Sequence, residues 1–457
     1  MKVSKINIKQ ITEARFKAFV MFTREPTVTF FTQELEFYSN DDTTILGTIV
    51  LDRVDNDYSC IILCRDEIGK FRAIDVKVDF KSIETAREWL IRKMRWHTGK
   101  GIKKFEQGGI IKKGVDIFTP QVLADKMNPY FKRLSEDLHF LPAKKIISEL
   151  SRYFEDIDNN FVEQFQSTGF DARLWELYLF CFFTEENFKV KRENERPDFI
   201  IDKLMEEIAV EAVIVDRKKE NPPKYYTPLK HKLPEEIRQD NINDMPLRFG
   251  SPLFSKLEKE YWNLPHVKGK AIILAIADFH DDQSMTWSFN AIMEYLYGFR
   301  YQHYHDKQGQ LIISPEKINS YTKKSGAKVE SGYFFQPKSE NISAVLFSST
   351  ATISKFSRMG MQAGFGAINH KMYRMGAKYR NDPNASMAEN FFYEVNESTQ
   401  ETWGEGVNLY HNPNALIPVN KELFPSIAHH ELKDNLIHSS VPDFHPYFSY
   451  NQNIVFR

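Results

Sequence analysis

The chain has 457 residues, with 61 Lys and Arg against 62 Asp and Glu and a formal net charge of -1. This length allows two or three domains with cores of their own. The balance of charge excludes a basic coat or an acidic tail, so any nucleic-acid contact has to come from local patches. Three cysteines, Cys60, Cys64 and Cys181, are too few for a disulfide scaffold and point to a reducing compartment, with the cytoplasm the expected location. Residues 1–5 lack an apolar signal core, and the most apolar run, 271–277, is too short to cross a bilayer, so no membrane partner is expected.

Residues 43–50, 59–63 and 71–78 read as strands, with turns at 55–57 and 66–69. Asp52, Asp55 and Asp57 cluster there, but no EF-type glycine or closing glutamate follows, and a turn is the better reading. Ser82 opens a helix with Ile83, Ala86, Leu90 and Met94 at helical spacing. Residues 1–114 are thus expected to form an N-terminal α+β domain. Its end, 92–114, is basic, with Arg92, Lys93, Arg95 and Lys100 before Lys103, Lys104, Lys112 and Lys113, and with Trp96 and Phe105 interleaved. Two readings stand: a phosphate-contacting loop with stacking aromatics, or a solvated linker. Residues 115–165 read as a helical linker to a main domain over 166–457.

The main domain opens on a helix after Gly169 that is apolar all round from Leu174 to Phe183, apart from Glu176. Residues 196–201 and 208–215 read as a β-hairpin joined through the polar segment 202–207. Side chains alternate along a strand, so Ala209, Glu211, Val213 and Val215 share one face while Ile208, Val210, Ala212 and Ile214 share the other. Both faces are otherwise apolar, which predicts burial on both sides and leaves Glu211 as a lone buried carboxylate. A buried charge costs several kcal/mol unless it is paired or metal-bound. Asp198 opens the neighbouring strand directly after Pro197.

A polar, proline-rich excursion follows over 216–248, carrying Lys218, Lys219, Lys224, Lys230 and Lys232. Beyond it come a helix over 253–262 with Lys256 and Lys259, a strand over 271–277, a helix over 285–297 and a strand over 342–347. Helix, hairpin, helix, strand, helix is an α/β order. No acidic residue occurs over 341–381, where Arg358, Arg374 and Arg380 stand among glycines. Flexible glycines beside arginines suit phosphate contacts; a surface that offsets acids elsewhere is the other reading. No GxxxxGK[ST], GxSxG or HExxH motif occurs, and His429, His430 and His438 lack zinc spacing.

A helix with Glu176, then Pro197-Asp198, then a strand with Glu211 resembles the PD-(D/E)xK nuclease superfamily, over roughly 170–298, in an uncharacterised bacterial branch. The family's lysine position, two residues after the second acid, holds Val213. The resemblance implies a restriction-endonuclease-like core with a mixed sheet flanked by helices. It implies a metal-dependent endonuclease acting on nucleic acid, DNA ahead of RNA. Asp198, Glu211 and the Ala212 carbonyl would hold Mg²⁺ or Mn²⁺, with Glu176 binding directly or through water. Lys256 is the candidate replacement for the missing lysine. Defence against mobile elements, with a homo-oligomer or a defence-complex partner, is the expected setting. Two readings remain for each acid, a metal ligand or a structural role: Glu176 as the partner of Arg173 one turn earlier, Asp198 as a turn cap or strand start, and Glu211 in a structural salt bridge to a lysine. The rival for the whole chain is a nuclease-fold module that lost its chemistry and binds nucleic acid or a protein.

Overall fold

The computed structural model describes residues 6–106, 114–218, 222–225, 232–323 and 325–456; Lys112, Lys113, Lys219 and Lys230 lie outside them. The N-terminal unit runs β1 (Ile8–Gln10), α1 (Glu13–Val20), β2 (Thr32–Asn40), β3 (Ile45–Asp52), β4 (Asp57–Arg65), β5 (Phe71–Phe80) and α2 (Ile83–Gly99). Its five strands form an antiparallel meander in chain order. Ser82 caps α2 as expected, its hydroxyl accepting from the Thr85 N–H at 3.3 Å. Leu90 and Met94 of α2 pack on Ile49, Cys60 and Ile62 of the sheet. A Cβ at Gly47 of β3 would stand 2.5 Å from the Met94 sulfur, so a side chain there would have to displace the Met94 thioether that packs on the sheet. The basic stretch that begins at Arg92 is not one loop: its first eight residues are the end of α2, and Lys93 and Lys100 lie over the Trp96 ring at 5.0 and 3.4 Å.

The opposite face of this sheet is not solvated. Phe37, Leu46, Leu63 and Phe71 join Phe16 and Phe19 of α1 in the core that also fills one side of the main body. The chain then forms α3 (Pro129–Glu136), α4 (Leu141–Leu150), α5 (Phe161–Gln166) and α6 (Phe170–Glu185).

Next come β6 (Lys189–Lys191), β7 (Phe199–Lys203), β8 (Glu206–Val215), α7 (Pro234–Asn243), α8 (Met245–Leu257), β9 (Ala271–Asp278), α9 (Phe289–Tyr297), the hairpin β10 (Phe299–His305) and β11 (Leu311–Lys317), the short pair β12 (Ser320–Thr322) and β13 (Lys328–Glu330), and β14 (Ala344–Ser348). The remainder is α10 (Ile353–Gln362), β15 (His370–Lys378), β16 (Glu389–Val395), β17 (Val407–His411), β18 (Ala428–Lys433), β19 (Leu436–Ser440) and β20 (Pro446–Val455).

One mixed sheet of eight strands organises the body, in the order β19-β18-β17-β14-β9-β8-β7-β6. The strands β6, β7 and β8 form an antiparallel meander, and β8, β9 and β14 are mutually parallel neighbours. The crossover from β8 to β9 carries α7 and α8. Ile208 and Val210 of β8 pack into the core of α6, whereas Ala209, Val213 and Val215 pack with Phe249 and Leu253 of α8 and with α9. The expected burial of β8 on both faces is what the sheet contains. Its hairpin is tighter than the polar 202–207 link expected: Lys203 pairs with Glu206, leaving a two-residue turn. Leu204 and Met205 fill that turn with φ of 55° and 67°, the left-handed pair that matches the twist of a hairpin. A separate antiparallel sheet, β16-β15-β20, covers α10.

Candidate active site

Phe199 pairs with Val210, so Asp198, one residue earlier, lies opposite Glu211 on the same face as Ile200 and Ala209. The β7 ladder ends at Phe199, and the Ala212 N–H of β8 is taken over by Asp198, donating to its Oδ2 at 2.7 Å. Glu211 is 5 % exposed. Its Oε1 accepts from the Lys256 Nζ at 2.5 Å and from the Tyr261 hydroxyl at 2.7 Å. Among the described residues, its buried Oε2 has no hydrogen-bond partner. Lys256 belongs to the last turn of α8, which lies over this face, so a lysine reaches the second acid from a helix rather than from position 213.

Glu176 arrives from α6, across the sheet. It is buried, and both oxygens are taken: Arg173 donates to Oε1 at 2.7 Å and Arg192 to Oε2 at 3.2 Å. The local pairing with Arg173 weighed from the sequence is therefore present, strengthened by a second arginine. Burial raises the Glu176 carboxyl above its ordinary value against both arginines, and Glu211 adds to the rise. Asp198 is pushed up to about 8, first by burial and then by the charges of Glu211 and Glu176. The three carboxylates thus share one field.

They do not converge as three ligands. Among the described residues, no three His, Cys, Asp or Glu side chains stand in an arrangement that could hold one metal ion. The expectation of a direct Glu176 ligand is corrected on this point, because two arginines already neutralise it. A two-carboxylate set remains. Asp198 and Glu211 are hard oxygen donors, the Glu211 Oε2 is unpartnered, and their repulsion is of the kind a cation relieves. Mg²⁺ is commonly held by one or two carboxylates with waters completing its shell, so these residues fit such an ion.

The basic C-terminal segment departs further from expectation. Arg358 and Arg374 are 1 % and 0 % exposed. The Arg358 guanidinium donates to both oxygens of Glu401, at 2.8 and 2.9 Å, and Arg374 pairs with Glu401 and Glu405. Neither is available to phosphate; their acids come from residues beyond the acid-free stretch. Arg380 is exposed, with Asp382 at 4.0 Å.

Tyr261 and Arg192 were missed from the sequence. The run Lys189-Val190-Lys191-Arg192, close after an isolated buried acid, was the available signal for Arg192. Tyr261 had none, since it sits just past a helix end in a one-turn 3-10 segment. No protein-family model matches the chain, and neither a curated protein nor a solved structure matches it.

Proposed function

We propose that the chain is a metal-dependent nuclease of the PD-(D/E)xK type, with Asp198 and Glu211 as the metal-holding acids and Lys256 as the lysine of the site. The single observation that carries this reading is the Lys256 Nζ on Glu211 Oε1 at 2.5 Å, directly beside Asp198 on the paired strand. The order β6-β7-β8-β9-β14, with β7 antiparallel to its neighbours and a helix on each face, supports it. A divalent cation, when bound, lowers the pKa of its water and neutralises the leaving oxygen of a phosphodiester.

The residues of the chain prepare that position. Lys256 and Tyr261 hold one oxygen of Glu211 and leave the other free. The Ala212 N–H fixes Asp198. Arg173 and Arg192 hold Glu176 in place and oppose the rise that burial imposes on it, and Glu176 meets the site through the field it shares with Glu211 and Asp198. Nucleic acid, DNA ahead of RNA, is the proposed substrate class.

The test is hydrolysis of mixed DNA and RNA substrates by the full chain with Mg²⁺, Mn²⁺ or chelator, beside Glu211→Gln and Lys256→Met. Metal-dependent cleavage lost in both variants supports the reading. The second reading, a binding module of the same fold, is favoured by the closed Glu211–Lys256–Tyr261 contact and by the lack of a third ligand. Nucleic-acid binding without cleavage, and without a Mn²⁺ response in titration, decides for it.

A further inference from the structure

A cavity of about 700 Å³ lies between α1, α4, α10 and the segment 397–403, with Glu185 at the end of α6 on its wall. The Arg15 guanidinium donates to the Ala363 carbonyl at 2.9 Å and to the Gly364 carbonyl at 3.1 Å, tying α1 to the end of α10. Met21, Phe22, Ile146, Leu150 and Met359 make much of the wall apolar. This size suits a small organic ligand, and such sites combine apolar walls with a few placed polar groups.

The carboxylates of the wall differ in one respect. Glu13 pairs with Lys17 at 2.6 Å, Glu397 faces Arg15, and Glu401 is bound by Lys355 and Arg358. Among the described residues, no cation is in contact with Glu185. Its Oε2 accepts from the consecutive backbone N–H groups of Trp403 and Gly404, and among the described residues no group donates to its Oε1. Two backbone donors therefore fix the carboxylate and leave one oxygen unspent on the cavity wall. Gln362, its amide neighbour on the same wall, is occupied with the Glu401 backbone at 2.8 and 3.1 Å.

We propose that this cavity binds a small organic cation, a protonated amine on an apolar body, with the ammonium on Glu185 and the apolar part between Phe22, Leu150 and Met359. Burial lifts the Glu185 carboxyl to about 7 against the pull of Lys355 and Lys17, as expected of an acid that lacks a direct counter-charge. The proposal is independent of the nuclease reading, because none of the residues it uses belongs to that site.

The probe is phenylpropylamine, with phenylpropanol as its neutral counterpart, titrated calorimetrically into the full chain at pH 8. A hydrogen bond to a charged group predicts that the amine binds about tenfold or more tightly than the alcohol. Glu185→Gln keeps an oxygen for the Trp403 and Gly404 N–H groups but turns an amide N–H₂ to the cavity. It should abolish the amine preference and leave alcohol affinity within about twofold. Ala18→Phe, which fills the cavity from α1, should remove both. Equal affinity of the wild type for amine and alcohol, or no binding of either at millimolar concentration, overturns the proposal. So does an amine preference that survives Glu185→Gln. The wild-type comparison stands even if a variant fails to fold.

Discussion

Replacing Asp198 by Asn should stabilise the protein, and increasingly so as pH rises. In the fold the carboxyl is displaced from 3.8 to about 8 by burial and by Glu211 and Glu176. A tenfold change in proton affinity is worth about 1.4 kcal/mol, so the displacement corresponds to at most about 6 kcal/mol. The sign follows from proton counting. Between the unfolded and folded values the native state holds a proton that the unfolded state has lost, so stability falls as pH rises from about 4 to about 8. Asp198 is only partly buried, and a realistic effective dielectric reduces the effect to about 2–3 kcal/mol between pH 5 and pH 8. Asparagine still offers an oxygen to the Ala212 N–H, so the local hydrogen bond survives. The assay is urea unfolding of wild type and Asp198→Asn at pH 5 to 9. The wild-type curve should lose this increment over the window and the variant should not; Glu185 and Asp171 titrate in both and cancel in the difference. Parallel pH profiles would refute the argument that burial and the charges of Glu211 and Glu176 displace the Asp198 carboxyl. Mg²⁺ should stabilise wild type at pH 8 more than Asp198→Asn, since the cation relieves the same repulsion.

Lys256→Met should cost about 2 kcal/mol in chemical denaturation, less than a fully buried pair because the lysine side chain is 23 % exposed, and should abolish cleavage in the nuclease assay. Glu401→Gln strips the buried Lys355, Arg358 and Arg374 of their shared partner and should cost about 4 kcal/mol or prevent folding, read by the same unfolding curves. His430 and His445 both reach the Asn408 Oδ1, at 3.0 and 3.1 Å, and burial depresses them to about 3 and about 4 from 6.5. The unfolded chain binds these protons first, so stability should fall by about 2 kcal/mol for each histidine, about 4 kcal/mol together, from pH 7 to pH 5. A His430→Gln, His445→Gln double variant should flatten that slope, and an unchanged slope would remove the pair from the acid response.

Local pattern determined a definite part of this protein. The apolar run after Gly169 becomes α6, the two-faced apolar alternation of 208–215 becomes the buried β8, and 271–277 becomes β9. The isolation of Glu176, Asp198 and Glu211 among apolar neighbours was equally legible, because a charge in a buried element shows in its immediate sequence. The strands β10, β15, β16 and β20 were not, since their polar and aromatic alternation lacks a continuous apolar face and they gain order from pairing, β10 with β11 and β15 with β16 and β20. Arg173 for Glu176 and Lys256 for the site were candidates in the sequence, but only the tertiary structure decided that Arg192 joins Glu176, that Lys256 meets Glu211, and that Arg358 and Arg374 meet Glu401. Lys256 stands 45 residues from Glu211, and Arg358 stands 43 from Glu401. An arginine in an acid-free segment reads the same whether it faces solvent or a carboxylate brought in by another element. Charge pairing over such separations is set by how helices and sheets pack, and the residues along the chain carry no local trace of it.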